Sequence, residues 1–269
     1  MYDQTLAKRA GQDLNRIRDT KPLVHNITNF VVMNYTANAL LACGASPVMA
    51  HAREEVEEMT SLAGALVLNI GTLTPYWVDS MVKAGKRANE KGIPIILDPV
   101  GSGATRLRTD SAKRLIQEVE ITVVRGNASE VLSLAQEGSK TKGVDSLHSV
   151  DEAADAAISL SRELDTTLVI TGEVDLVTYG GRIYMVHNGH ELMGYVTGTG
   201  CTATVIIGAF LAVDEDPVQA SAAALAYFGL AGEKAAESAK APGTFQIAML
   251  DALYTIDGKG LEEGARIQA

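Results

Sequence analysis

The segment richest in chemistry is Val196-Thr197-Gly198-Thr199-Gly200-Cys201-Thr202-Ala203-Thr204, where two glycines open straight into an apolar run. A helix starting there presents unpaired backbone N–H groups and the positive end of its dipole. Glycine lets a ligand approach that backbone closely. The chemistry predicted is capture of an anion, either a phosphate or a developing negative charge. Cys201 falls in the first helical turn, where a thiol pKa should be lowered. The spacing also fits the loose Gly-x-Gly-x-x-Ala dinucleotide pattern, but no strand ending in an acid follows about 20 residues on. A Gly-x-x-x-x-Gly-Lys-Ser/Thr loop is absent from the sequence. Taken alone, the segment also reads as a glycine turn holding a buried cysteine. The histidines at 25, 51, 148, 187 and 190 show no metal-binding spacing, so no zinc site is expected.

Elements must exist to position these groups. Residues 1–20 read as an amphipathic helix with Leu6, Leu14 and Ile17 on one face. Short apolar runs at 22–25, 47–49, 65–70, 93–97, 121–124 and 167–170 read as strands, with helices expected at 28–43, 53–62, 75–91, 109–118, 128–136 and 150–164. Two further β segments, 176–179 and 182–187, flank a hairpin at Gly180 and Gly181. From Cys201 onward the pattern is nearly all helical. Apolar runs bounded by Gly and Pro and separated by helices predict an α/β fold, with a mostly parallel central sheet and helices on both faces. Polar residues follow the strands at Asn69, Asp98 and Arg125, and ligands bind at such carboxyl ends. One domain over 1–269 is expected, loose from Asp257 onward.

Composition narrows the function classes. With 23 Lys and Arg against 33 Asp and Glu, the formal charge is −10, which repels phosphate backbones and argues against nucleic-acid binding. Two cysteines, Cys43 and Cys201, make no disulfide framework; Cys43 reads as a small buried residue. The first twenty residues lack the apolar core of a signal peptide. The longest apolar stretch, 201–213, falls short of the roughly 20 residues a membrane helix requires. A soluble cytoplasmic protein is expected, with no membrane partner.

Several stretches taken together carry a resemblance: His25-Asn26-Ile27-Thr28-Asn29, Gly44-Ala45-Ser46-Pro47-Val48-Met49, Asn69-Ile70-Gly71-Thr72, Asp98-Pro99-Val100-Gly101, Arg125-Gly126-Asn127-Ala128-Ser129-Glu130, Lys142-Gly143-Val144-Asp145, Thr171-Gly172-Glu173-Val174-Asp175 and His187-Asn188-Gly189-His190. With the 196–204 segment they resemble ribokinase-like small-molecule kinases, and more narrowly the hydroxyethylthiazole kinase family, over residues 20–250. The resemblance implies a ribokinase-like fold. It also implies ATP-dependent phosphorylation of the primary alcohol of 4-methyl-5-(2-hydroxyethyl)thiazole in thiamine biosynthesis or salvage, with Mg²⁺ as cofactor and ATP as co-substrate.

The same resemblance implies roles. Gly198, Thr199 and Gly200 would hold the transferring phosphoryl, and Gly198 would also touch the thiazole. Cys201 stands where the wider superfamily places an Asp base. Arg125, Thr171 and Asn127 would contact ATP. Asn29, Val31 and Met49 would line the substrate side, and Met sulfur suits an aromatic ring. Asp98, and Glu130 through water, would attend Mg²⁺, while the 142–145 loop borders the nucleotide. A homotrimer with active sites between subunits is implied too. Rival readings are a pyrimidine or pyridoxal kinase, an NAD(P)H-hydrate dehydratase, which needs the Asp that Cys201 replaces, and a regulator that binds without turnover.

Overall fold

The structure is a computed structural model and describes residues 2–135 and 150–269. The polar loop expected at 137–148, including Lys142 to Asp145 and His148, lies outside the described residues.

Among the described residues, nine strands form one sheet in the order β2-β1-β3-β4-β5-β6-β7-β8-β9. They are β1 (Leu23–Ile27), β2 (Ser46–Val48), β3 (Ala65–Asn69), β4 (Ile95–Asp98), β5 (Val123–Asn127), β6 (Thr167–Thr171), β7 (Asp175–Tyr179), β8 (Arg182–Val186) and β9 (Ile267–Gln268). Strands β1 to β6 pair in parallel and β6 to β9 antiparallel. The parallel half explains the continuous apolar runs. In β3, Val67 enters the core on one face while Leu66 and Leu68 enter the core on the other. Burial on both faces removes the polar alternation of a half-exposed strand.

The helices are α1 (Gln4–Thr20), α2 (Met33–Cys43), α3 (Val56–Leu62), α4 (Pro75–Lys91), α5 (Arg106–Glu118), α6 (Ala128–Leu132), α7 (Val150–Leu164), α8 (Thr199–Leu211), α9 (Pro217–Ser238), α10 (Pro242–Thr255) and α11 (Gly258–Gly264). One face of the sheet carries α3, α4 and α5; the other carries α1, α2 and α8 to α11. No described helix is long and apolar enough to cross a membrane.

Local chemistry sets the boundaries. Helix α4 runs as its spacing predicts, because the Thr74 hydroxyl caps Trp77 N–H, Pro75 fills the first turn and Gly92 closes the end at φ +67°. Helix α2 begins at Met33 rather than 28, since Asn29 Oδ1 accepts Val31 N–H at 3.1 Å and folds the preceding residues into a turn. Helix α6 stops at Leu132 rather than 136.

The terminal residues correct the expectation of a loose tail. Helix α11 packs against α1 so closely that a Cβ at Gly11 would collide with the Gly258 carbonyl. Leu261 and Ile267 are buried, and β9 extends the sheet through Val186 and Met185. Asp3 N–H donates to the Ile267 carbonyl at 2.8 Å, so the two ends of the chain meet.

Candidate active site

The carboxyl ends of β1, β3, β4, β5 and β6 converge on the amino terminus of α8. Gly198 caps that helix at φ +83°, a left-handed conformation natural to glycine. Thr199 N–H donates to the Val196 carbonyl at 3.4 Å, and the first-turn N–H groups that follow it are offered toward the strand ends, as the glycine pair predicts.

Arg125, from β5, lies directly against this terminus. A Cβ at Gly200 would stand 2.6 Å from Arg125 Nη1, so only glycine admits the guanidinium there. Arg125 Nη2 donates to Thr171 Oγ1 at 2.5 Å. Its Nη1 lies 3.8 Å from Asp98 Oδ2, a spacing that neutralises charge without a tight hydrogen bond. Only 8% of Arg125 is exposed. The Arg125 cation thus faces Asp98 inside the fold.

Behind Arg125 runs a polar chain. Strand register places Asn69 beside Asp98. Asn69 Oδ1 accepts Gly71 N–H at 2.9 Å and Asn29 Nδ2 at 2.8 Å, so its Nδ2 points the other way and donates to Asp98 Oδ2 at 2.8 Å. Thr204, one turn into α8, donates to the same oxygen at 2.9 Å. Asp98 Oδ1 is buried and has no hydrogen-bond partner among the described residues. Burial pushes the Asp98 carboxyl above its ordinary value, against the opposing pull of Arg125 and Thr204.

Cys201 corrects a prediction. Helix position alone predicted a lowered thiol pKa, yet burial, followed by the neighbouring Asp98 charge, pushes it up to about 12. Asn69, Arg125 and the Asn29 amide, 3.6 Å from Sγ, oppose this and lose. At neutral pH Cys201 is a thiol.

Asn127 and Glu130 close a capping box at the start of α6: Asn127 Oδ1 accepts Glu130 N–H at 2.9 Å, and Glu130 Oε2 accepts Asn127 N–H at 3.0 Å. Glu130 Oε1 also accepts Gly101 N–H at 2.8 Å, tying α6 to the loop after Asp98. Each Glu130 oxygen thus already serves one backbone donor.

A cleft of about 720 Å³ opens in front of Arg125, Thr171, Thr199 and Gly200. Its apolar lining includes Met193, Leu225 and Phe228. Asp175 lines it too, and burial lifts that carboxyl to about 6.

The structure thus brings together Asn29, Asp98, Arg125, Thr171, Cys201 and Gly198 to Gly200, with Asn127 and Glu130 adjoining. It does not bring in Met49, which follows edge strand β2, and β1 and β3 separate β2 from Asp98 on β4. Val31, 64% exposed, adjoins the cluster through its N–H, which donates to Asn29 Oδ1 at 3.1 Å. Sequence reasoning missed Asn69 and Thr204 as site residues. Asn69 carried a signal, a polar residue ending an apolar run as Asp98 does; Thr204 carried only its position one turn after Gly200.

A protein-family model described as the hydroxyethylthiazole kinase family matches residues 14–259. A hydroxyethylthiazole kinase from Desulfotalea psychrophila is 62% identical over 259 residues, covering 96% of this chain and 95% of the relative. A solved structure of a hydroxyethylthiazole kinase protein from Pyrococcus horikoshii superposes with a TM-score of 0.90 at 49% identity, over 97% of this chain and 98% of that one. Pyridoxal kinase from Staphylococcus aureus, solved with AMP-PCP and pyridoxal, shares the fold at a TM-score of 0.65 and 16% identity, over 92% of this chain and 98% of that one.

Proposed function

This chain belongs to the hydroxyethylthiazole kinase family, and on that premise we propose that it transfers the γ-phosphoryl group of ATP to the primary alcohol of 4-methyl-5-(2-hydroxyethyl)thiazole. The observation that carries this reading is the seating of the Arg125 guanidinium on Gly200 at the open end of α8, facing the cleft. Phosphoryl transfer demands positioning and charge stabilisation more than covalent chemistry. Arg125 and the first N–H groups of α8 supply both, fixed before substrate arrives. Thr171 holds the guanidinium in plane. Arg125 and Thr171 contact the ATP phosphates, with Asn127 at their edge.

Asn29 and Cys201 stand on the acceptor side. A thiol with a pKa of about 12 is a poor base at neutral pH. Cys201 therefore orients the alcohol, whose proton leaves late as the phosphoryl group arrives. Gly198 contacts the thiazole. Val31 borders the acceptor side beside Asn29, and Met49, outside the cluster within one chain, completes the acceptor side of a neighbouring subunit in a homotrimer.

The donor set suits Mg²⁺. The unpartnered, buried Asp98 Oδ1 is a hard oxygen donor, and Glu130 keeps a free lone pair on each oxygen for contact through water. When bound, the ion supplies neutralising charge to phosphate oxygens.

An ADP-release assay with the thiazole alcohol, pyridoxal and a pyrimidine alcohol tests the reading. ADP appearing with the thiazole alcohol supports it. ADP with pyridoxal or the pyrimidine alone would assign another acceptor, and tight binding without ADP would make the chain a regulator.

A further inference from the structure

One wall of the cleft is the segment 188–194, comprising Asn188, Gly189, His190 and the 3-10 turn Glu191–Tyr195 as far as Gly194. It shares the cavity with Arg125 and Thr171. If phosphates occupy the Arg125 end, the base and sugar must reach this wall and the apolar floor of Met193, Leu225 and Phe228. The placement of this wall then governs nucleotide affinity.

The Thr199 hydroxyl of α8 donates to the Met193 carbonyl at 2.9 Å, and two further sets of contacts fix the wall. The first is steric. A Cβ at Gly229 would stand 2.5 Å from the Asn188 carbonyl, and one at Gly232 would stand 2.6 Å from Met193 Sδ. The wall therefore rests on α9 itself. The second set is polar and centres on a pair outside the cleft lining. Arg266, just before β9, meets Glu233 of α9 in a two-pronged ion pair, Nη1 to Oε2 at 2.9 Å and Nη2 to Oε1 at 2.8 Å. Glu233 Oε1 also accepts Gly189 N–H at 2.9 Å and Asn188 Nδ2 at 3.1 Å. Arg266 N–H donates to Asn188 Oδ1 at 2.7 Å, and Arg266 Nη2 donates to the His187 carbonyl at 2.5 Å. Asn188 Nδ2 reaches the Gly264 carbonyl at 3.0 Å. Every polar atom of the Asn188 side chain is thus held by Glu233 or by residues 264–266. A planar guanidinium bonded on two edges is a geometry that a lysine ammonium cannot reproduce.

We propose that Glu233 and Arg266 are positioning residues of the nucleotide site, through which the carboxyl-terminal segment sets the wall against which ATP is held. The proposal rests on the kinase reading for the identity of the ligand. It predicts a loss confined to the nucleotide, because Asn29 follows β1 and the wall follows β8, on opposite sides of Arg125's strand β5 in the sheet order.

ADP binding measured by calorimetry, together with steady-state rates, tests it on the full chain. Arg266→Ala should weaken ADP about tenfold, the scale of a charged hydrogen-bond network. Arg266→Lys should recover only part of the loss. kcat and the KM for the thiazole alcohol should stay within about twofold, and Lys259→Ala, which removes an exposed ion pair with Glu263 on α11, should leave ADP affinity unchanged. Wild-type ADP affinity in folded Arg266→Ala overturns the proposal, as does a parallel loss of ADP and thiazole alcohol affinity, which marks general loosening. Should Arg266→Ala not fold, Arg266→Lys and Glu233→Gln decide, and undiminished ADP affinity in both overturns it. If the wild type makes no ADP from the thiazole alcohol, the kinase reading fails while the calorimetry still judges the clamp.

Discussion

At the residue scale, Cys201 and Gly200 sit side by side on α8 yet answer to different physics. Cys201 is governed by what surrounds it. Burial and the Asp98 charge outweigh the helix terminus and hold the thiol at about 12, so between pH 6 and 9 no activity limb should belong to it. Iodoacetamide should alkylate Cys201 far more slowly than a free thiol of pKa about 8.5; rapid loss of activity protected by the thiazole alcohol would show a thiolate and overturn this assignment. Cys201→Asp should retain activity, since a carboxylate there supplies the base that the thiol does not; a folded but near-dead variant would count against the acceptor-side placement. Gly200 is governed by what it lacks. A Cβ there meets the far end of the Arg125 side chain, which can swing aside, so Gly200→Val should fold while losing about 10²-fold or more in kcat, on the scale of a lost charge-stabilising group. A kcat within fivefold of wild type would show that the guanidinium need not lie on Gly200.

At the element scale, the two ends of α8 carry opposite duties. Its amino terminus serves the site. Beyond its carboxyl end, Asp214 is gripped by Arg9 of α1 at 2.6 and 2.8 Å, accepts Asp216 N–H and crowds the buried Asp13. Burial first, then the Asp214 charge, lifts the Asp13 carboxyl to about 7, with Arg9 and Arg16 opposing. The folded chain therefore keeps a proton on Asp13 that the unfolded chain releases from about pH 4 upward. Stability from this group is intact at low pH and is lost as pH rises toward 7. Asp13→Asn should raise Tm at pH 8, with the gain shrinking by pH 5 and kcat unchanged; a gain independent of pH would refute the retained proton on Asp13. This pair was not legible in the sequence, because 201 positions separate its members and only α1 packing on α8 and α9 unites them. The strands were legible, since burial on both faces writes itself as runs such as 65–69. So was the glycine-capped start of α8, because a local glycine pair encodes it. The tail was not: Lys259, Glu262 and Glu263 disguise it as solvated, while Leu261 and Ile267, which anchor it, are spaced too far apart to show a period. The Cys201 pKa failed for the same reason, since burial belongs to the fold and not to the helix.

At the scale of the whole molecule, one chain leaves apolar surface unexplained. Phe30 and Val31, next to Asn29, are 66% and 64% exposed; Leu41 on α2, and Ile247 and Tyr254 on α10, are also exposed. Helices α2 and α10 are neighbours, joined where Tyr35 Oη donates to the Gln246 carbonyl. Scattered exposed apolar residues are ordinary, but Phe30 and Val31 adjoin Asn29, α2 and α10 carry the rest of this surface away from it toward Arg18, and Met49 falls outside the cluster of its own chain. A homotrimer that covers this surface and brings a neighbour's Met49 to each site accounts for both facts. It makes a linked prediction. Sedimentation should give three chain masses, and Leu41→Glu with Ile247→Glu, which buries charge in such an interface, should give monomers. Those monomers should bind ADP as the wild type does, because the nucleotide cleft is built within one chain, while the KM for the thiazole alcohol rises at least tenfold. Monomers with an unchanged KM would place the whole acceptor pocket inside one subunit and remove Met49 from it.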